Sequence, residues 1–235
     1  MAGFGKSLAS TLFVLAVPIL LFAGSLIWTV LNVGTYEHAF LDYGAAQRTG
    51  LGARELRGVA TALAEHFSDG KPIDIQINKG GAIQPLFAER ELIHLHDIYN
   101  LVQFGLRALG ILGLYCLAFA VAGLAWWRGR YWHTLARHAR AGALLTLALF
   151  VLVAVGSLLD FDQLFWTLHV ISFPNDFWLL DPSKYYLINL FTQGFFQETA
   201  LKVAVATAAE ALLLTLVASV ATRGRTRRGP AGRTS

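Results

Sequence analysis

The chain has 235 residues, of which 55% are hydrophobic and only 14% charged, with a mean hydropathy of +0.52. Those values exclude an ordinary soluble domain and indicate an integral membrane protein. The formal charge of +4 sits in clustered arginines, which points to anionic lipid headgroups rather than to nucleic acid.

Four stretches have the roughly 20 apolar residues needed to cross a bilayer: Leu12–Val33, Ala108–Trp127, Ala141–Leu159 and Val203–Ala221. The first three carry no charge and the fourth carries only Glu210. The first follows Lys6, but it is longer than a signal-peptide core and no small-x-small cleavage site follows it, so it reads as an uncleaved anchor. After it, "GARELRGVATALAEHF" sets Leu56, Val59, Ala60, Leu63 and Phe67 at helical spacing and ends at "SDGKP"; this is an amphipathic helix. "IDIQI" alternates apolar and polar residues and "NKGG" supplies a turn, which predicts a short hairpin. A helix then begins after Pro85 and runs into the second span. The segment after the third span, "DFDQLFWTLHVISFPNDFWLLDPSKYYLINLFTQGFFQET", is dense in aromatic residues and broken at "FPND" and "LDPS". That composition suits surface-lying or re-entrant helices at headgroup level.

The loop "RGRYWHTLARHAR" holds Arg128, Arg130, Arg137 and Arg140, and the tail "RGRTRRGPAGRTS" adds five arginines, with no acid in either. Cytoplasmic segments are the positively charged ones, so both termini are expected in the cytoplasm and the two long loops outside. Trp126, Trp127, Tyr131 and Trp132 would form an aromatic belt at the cytoplasmic edge. The expected fold is an all-α membrane protein: four transmembrane helices with an extracytoplasmic cap containing an amphipathic helix and a short hairpin. Its parts are an anchor at 1–33, a first outer loop at 34–102, a second span at 103–127 and a basic loop at 128–140. A third span follows at 141–159, an aromatic outer loop at 160–199, a fourth span at 200–222 and a basic tail at 223–235. The one cysteine, Cys116, lies within a span and excludes an internal disulfide.

Titratable groups concentrate in "AERELIHLHDIYN", ahead of the second span. As a helix, this stretch puts Arg90 or Glu91 on one face with His94 and Asp97, while His96, Asn100, Gln103 and Arg107 share the next face. A carboxylate one turn from an imidazole fixes its tautomer and raises its basicity, as general acid–base chemistry requires. The bland alternative is a solvated helix face. The aromatic loop supplies His169, with Ser172 one turn later and then Asn175, Asp176 and Trp178. By topology His94 and His169 emerge on the same side, which would let them converge over a lipid-facing groove. The pair His94 and His96 falls short of a zinc site without Asp97 and His169. Ser172 lacks the G-x-S-x-G elbow of a serine hydrolase. An ionisable Glu210 within a span is by default a functional group, or else a structural hydrogen-bonding one.

"LFAERELIHLHDIYNL" resembles the F-x-E-R-E-x-x-H-x-x-D motif of a family of four-span bacterial membrane proteins, the lipoprotein intramolecular transacylase family. The run around His169, which reads H-x-x-x-F-x-N-D-x-W-x-L-D-P, is similar to that family's second signature, and the resemblance covers most of the chain. His96 is extra to the pattern. The resemblance implies an acyltransferase of the bacterial inner membrane, without cofactor or metal, acting on a diacylated lipoprotein among membrane phospholipid. Its reaction would move the sn-2 acyl chain of a diacylglyceryl-cysteine to the cysteine α-amine. The family's two essential histidines match His94 and His169. Around them, Glu91, Asp97 and Asp176 are expected to orient the imidazoles, with Arg90, Asn100 and Asn175 as candidates to stabilise the oxyanion. Two other readings of the residues remain: a metal-dependent lipid hydrolase using His94, His96 or His169, and a non-enzymatic lipid-binding or transport protein built around Glu210.

Overall fold

The computed structural model describes residues 2–127 and 131–223, which form nine helices and one hairpin. In chain order these are α1 (Ala2–Leu31), α2 (Val33–Asp42), α3 (Ala45–Thr49), α4 (Ala53–Asp69), β1 (Gln76–Lys79), β2 (Ala82–Pro85), α5 (Glu89–Trp127), α6 (Trp132–Leu159), α7 (Phe161–Ser172), α8 (Tyr186–Leu190) and α9 (Gln193–Arg223). Four of them, α1, α5, α6 and α9, are long and apolar enough to cross a membrane.

Two of the long helices begin earlier than apolarity predicts. Residues 132–140, expected as loop, form the first turns of α6, and α9 begins at Gln193 rather than near residue 200. Hydropathy marks only the stretch that suits hydrocarbon, whereas the flanks are helix formers such as Leu135, Ala136, Arg137 and Lys202. Arg128, Arg130 and the tail beyond Arg223 lie outside the described residues. Helix α5 has 39 residues, about 58 Å at 1.5 Å per residue, against a hydrocarbon core of about 30 Å. Its uncharged part is 108–127, so the charged turns from Glu89 to Arg107 extend beyond the apolar length.

The chain divides into two compact units. The first gathers Met1–Ser25, Ala108–Val155 and Ala204–Ser235. Small residues allow its helices to approach closely, the usual solution where both solvent and partner are apolar. A Cβ added to Gly142 of α6 would come within 2.6 Å of Val17 Cβ on α1, so glycine is required at that crossing. Phe13 stacks on Phe119 with ring centres 4.9 Å apart, and Tyr115 Oη donates to the Ala9 carbonyl at 2.6 Å. Glu210 accepts a hydrogen bond from Ser25 Oγ at 3.3 Å. Leu114, Leu117, Leu152, Leu213 and Val220 are exposed, as a surface solvated by acyl chains requires.

The second unit comprises Leu26–Arg107 and Gly156–Val203 and holds most of the polar chemistry. Its core is centred on α4, whose Leu56, Val59, Ala60, Leu63 and Phe67 are all buried at the spacing that predicts them. They meet Tyr36 and Phe40 of α2, Leu95 of α5, Leu187 and Leu190 of α8 and Phe195 of α9. The hairpin pairs Gln76 with Pro85 through to Lys79 with Ala82. Its turn, Gly80–Gly81, has φ of 62° and 88°, which the two central positions of a type I′ turn demand. Helices α2 and α3 lie where a loop was expected. Asn32 starts α2 by accepting from the Gly34 amide at 2.9 Å, an N-cap in a stretch that reads as a continuous apolar span. Helix α7 is capped by Asp160, which accepts from the Gln163 amide at 2.9 Å.

Because Leu63 is fully buried at the centre of this core, Leu63→Ala is expected to destabilise the protein by about 2–5 kcal/mol. Denaturant unfolding of the purified protein in detergent measures this, and a change below about 1 kcal/mol would contradict the assignment of the core.

Candidate functional site

The first turn of α5 is held by a buried carboxylate. Glu91, three residues after Ala88, accepts from the Ala88 amide through Oε2 at 2.7 Å, half of a capping box. Its other oxygen, Oε1, accepts from the Leu187 amide at 2.6 Å, at the start of α8. Burial raises its pKa, while the backbone amides of Leu187, Ala88 and Tyr186 act in the opposite direction. Glu91 therefore ties α5 to α8 and does not hold either imidazole, contrary to expectation. Both oxygens already serve backbone donors, which otherwise would be orphaned at two helix starts.

One turn on, His94 is buried. Its ring centre lies 6.1 Å from that of His169 on α7, at an interplanar angle of 34°. Phe173 stands edge-on to His94 at 5.0 Å and lies 5.7 Å from His169. His169 is enclosed by Phe165 at 4.2 Å and Trp178 at 4.9 Å, and Trp178 is met edge-on by Trp166 at 4.8 Å. The indole Nε1–H of Trp178 donates to the Asn175 carbonyl at 2.9 Å, which fixes that ring.

Hydrogen bonding distinguishes the two imidazoles. Nδ1 of His169 lies 2.8 Å from the Phe165 carbonyl. A carbonyl only accepts, so Nδ1 carries hydrogen and neutral His169 keeps its lone pair on Nε2. Nδ1 of His94 is buried and has no hydrogen-bond partner among the described residues. His94 is pushed down to about 4, first by burial and then by the neighbouring His169, with Asp97 acting upward. His169 is also lowered by burial, with its bond to Phe165 opposing the shift. Burial therefore favours the neutral form of both imidazoles.

The remaining expected residues divide. Asp97 accepts from Asn175 Nδ2 at 2.9 Å, joining α5 to the segment after α7, while Asn175 Oδ1 accepts from the Phe177 amide at 3.1 Å. Asp176 is exposed and pairs with Arg90 at 3.4 Å; the Arg90 guanidinium also donates to the Asp176 carbonyl and lies over the Phe177 ring at 5.3 Å. Asp176 thus anchors Arg90 and does not orient a histidine. Asn100 is exposed, on a different face of α5, and no residue among those described bonds its side chain. Ser172 forms no described hydrogen bond to either imidazole. Among the described residues no group of three His, Cys, Asp or Glu side chains is placed to hold a metal ion. The carbonyl of Phe165 and the amide of Leu187 are not legible in the sequence, since backbone groups leave no mark in residue type. Trp178 was visible in its motif, but its role as a wall against His169 was not.

A family model described as the lipoprotein intramolecular transacylase Lit matches residues 11–196. Comparison with curated proteins finds no match. Among solved structures the chain is similar to the membrane-integral lipoprotein intramolecular transacylase Lit from Bacillus cereus, with a TM-score of 0.77 at 14% identity over 93% of this chain and 96% of that one. Two further structures of that protein, each with a single histidine replaced, by arginine or by alanine, give TM-scores of 0.74 and 0.73, again at 14% identity. They cover 94% and 93% of this chain and 93% and 94% of theirs. At that identity the likeness establishes a shared fold.

Removing the buried tether should separate positioning from chemistry. Glu91→Ala leaves the buried Leu187 amide and the part-buried Ala88 amide without this acceptor and is expected to lower stability by about 2–5 kcal/mol, with Glu91→Gln recovering part of the loss. Thermal unfolding in detergent reads the difference, and equal stability of Glu91→Ala and the parent protein would contradict the tether.

Proposed function

The chain belongs to the lipoprotein intramolecular transacylase family, Lit, and from that premise we propose that it moves the sn-2 acyl chain of a diacylglyceryl-cysteine lipoprotein to the α-amine of the same cysteine. The observation that carries this reading is the pair of imidazoles, His94 and His169, whose ring centres lie 6.1 Å apart within an aromatic enclosure. The bacterial cytoplasmic membrane is the proposed location. Both termini would lie in the cytoplasm, as the basic segments indicate, and the histidine pair at the outer face among phospholipid.

An α-amine has a pKa near 8 and is largely protonated at neutral pH, so its attack on an ester calls for a base. His169 is suited to it. Its Nδ1–H on the Phe165 carbonyl supports the imidazolium that forms, leaving Nε2 as the atom that takes the proton. The amine nitrogen forms the new C–N bond at the ester carbonyl, the C–O bond to glycerol breaks, and Nε2 returns the proton to the glycerol oxygen. His94, more deeply buried and harder to charge, donates an N–H to the oxyanion that develops on the carbonyl. Arg90 and Asn175 are already engaged with Asp176 and Asp97, so they act by holding the segment beside His169. The acyl group comes from an ester already on the substrate, so no cofactor enters. Nucleophile and ester belong to one molecule, and holding them together supplies a large effective molarity without a covalent acyl-enzyme. Phe165, Trp166, Phe173 and Trp178 limit the water that would compete with the amine.

His94→Ala and His169→Ala are each expected to reduce the N-acylated product to background, whereas Ser172→Ala retains it. Mass spectrometry of a model lipoprotein's N-terminus reads the outcome, and near-normal product from either histidine variant would defeat the mechanism. The pH dependence follows from the lowered imidazoles. The imidazoles act in their neutral form, so their own contribution is lost only as pH falls through pKa values below the ordinary 6.5. Between about pH 6 and 7.5 the logarithm of kcat/KM should rise with slope one, from the substrate amine alone. A slope approaching two below pH 6.5 would show an imidazole titrating at its ordinary value and contradict the arrangement.

A further inference from the structure

The first unit carries a polar groove that shares no residue with the histidine pair. Its volume is about 520 Å³, and it is lined by Ser7, Ser10 and Thr11 of α1 and by Thr134 and His138 of α6. A hydroxyl inside a helix either bonds back to the carbonyl one turn earlier or turns outward. Thr11 bonds back to Ser7, Thr146 to Gly142, Thr215 to Ala211 and Ser219 to Thr215. Ser7, Ser10 and Thr134 do not; among the described residues no hydrogen bond occupies their hydroxyls. The His138 ring is held by Phe119 and Phe13, with centres 6.1 and 6.5 Å away. Its Nδ1 is buried without a hydrogen-bond partner among the described residues, which leaves Nε2 as the nitrogen able to serve a ligand. Four groups able to donate thus line one groove, with no acceptor among the described residues.

The charge around the groove has one sign. Residues 1–36 and 131–159 contain no acid. Arg137 and Arg140 follow Thr134 within two turns of α6, exposed and without an ion pair among the described residues. Along α1 the lining changes character: the three hydroxyl residues give way to Val14 and Leu15. Leu8, Leu12 and Leu15 are exposed beside them. A free anion would use only the polar end, whereas a molecule with a phosphate and an acyl chain matches both ends. The polar end also coincides with the first turns of two spans, which begin at Ser7 and Trp132, the level at which headgroups lie. We propose that the groove binds one anionic glycerophospholipid. Its phosphate would accept from Ser7, Ser10, Thr134 and His138, under the attraction of Arg137 and Arg140, and an acyl chain would lie over Val14 and Leu15. Donors to an ionised phosphate form stronger hydrogen bonds than neutral pairs do, and each arginine near the headgroups adds attraction. The lipid would brace the crossing of α1 and α6 that Gly142 and Val17 close. It is a structural partner, distinct from the lipoprotein substrate.

The test uses the full chain in a neutral detergent, with phosphatidylglycerol, phosphatidylcholine or inorganic phosphate added. Native mass spectrometry counts bound lipid and thermal unfolding reads Tm. One phosphatidylglycerol is expected to stay bound and raise Tm, with phosphatidylcholine weaker by about fivefold or more. Thr134→Val with His138→Phe keeps side-chain size and the ring contacts, and should weaken phosphatidylglycerol by about tenfold or more. Ser7→Ala, an exposed change, should weaken it by about threefold and decides alone if the double variant does not fold. Arg137→Gln should weaken it by about fivefold. Equal affinity for the two lipids, unchanged binding in the donor variants or in Arg137→Gln, or an equal rise in Tm from inorganic phosphate would each overturn the proposal. None of these outcomes depends on the acyl-transfer reading, which uses none of the varied residues.

Discussion

The second unit depends on the Glu91 carboxylate. A charged group taken out of water costs several kcal/mol unless donors replace its hydration, and here the donors are backbone amides at the starts of α5 and α8. Those amides are in turn helix-start groups that need acceptors. Each side satisfies the other, so α5 and α8 have one mutual position in which the carboxylate and both helix-start amides are paired. That position sets the turn of α5 on which His94 and Asp97 stand, one and two turns further on. The Asp97–Asn175 bond is a second tie, connecting α5 to the segment after α7.

The electrostatics of the histidine pair follow from this rigidity. A lone buried imidazole is hard to charge; two within 6.1 Å are harder still, because the first proton opposes the second. Burial and mutual repulsion both oppose protonation of the pair, and the bond from His169 to the Phe165 carbonyl acts the other way at His169. A site of this kind suits a reaction in which a proton is borrowed from one atom of the substrate and returned to another.

Much of this was legible in the residues. The spacing of Leu56, Val59, Leu63 and Phe67 revealed α4, and the Gly80–Gly81 turn revealed the hairpin, because both depend on local periodicity or on a backbone conformation that few residues adopt. The approach of His94 to His169 was inferable from motif and topology. Less legible were α2 and α3, short helices stabilised by tertiary packing rather than by propensity, and the early starts of α6 and α9, which polarity conceals. The role of Glu91 is hidden in the sequence because its partners are backbone amides, one of them 96 residues away. Asp97 was placed near its histidine, but its direct partner, Asn175, could not be read from helix spacing.

That long-range bond bears on how the protein is made. The residues that shape α5 are synthesised well before Leu187, and until that amide is available the inner oxygen of Glu91 has no acceptor role to fill and no dry place to rest. At a synthesis rate of about 5–20 residues per second, the nascent chain spends several seconds with its first signature motif complete and its final partner absent. The hydrated carboxylate then keeps the α5 start open to water. Closure of the core is thus deferred until both halves of the chain are in the membrane, and a truncated product ending before α8 would lack the contact that commits His94 to its place.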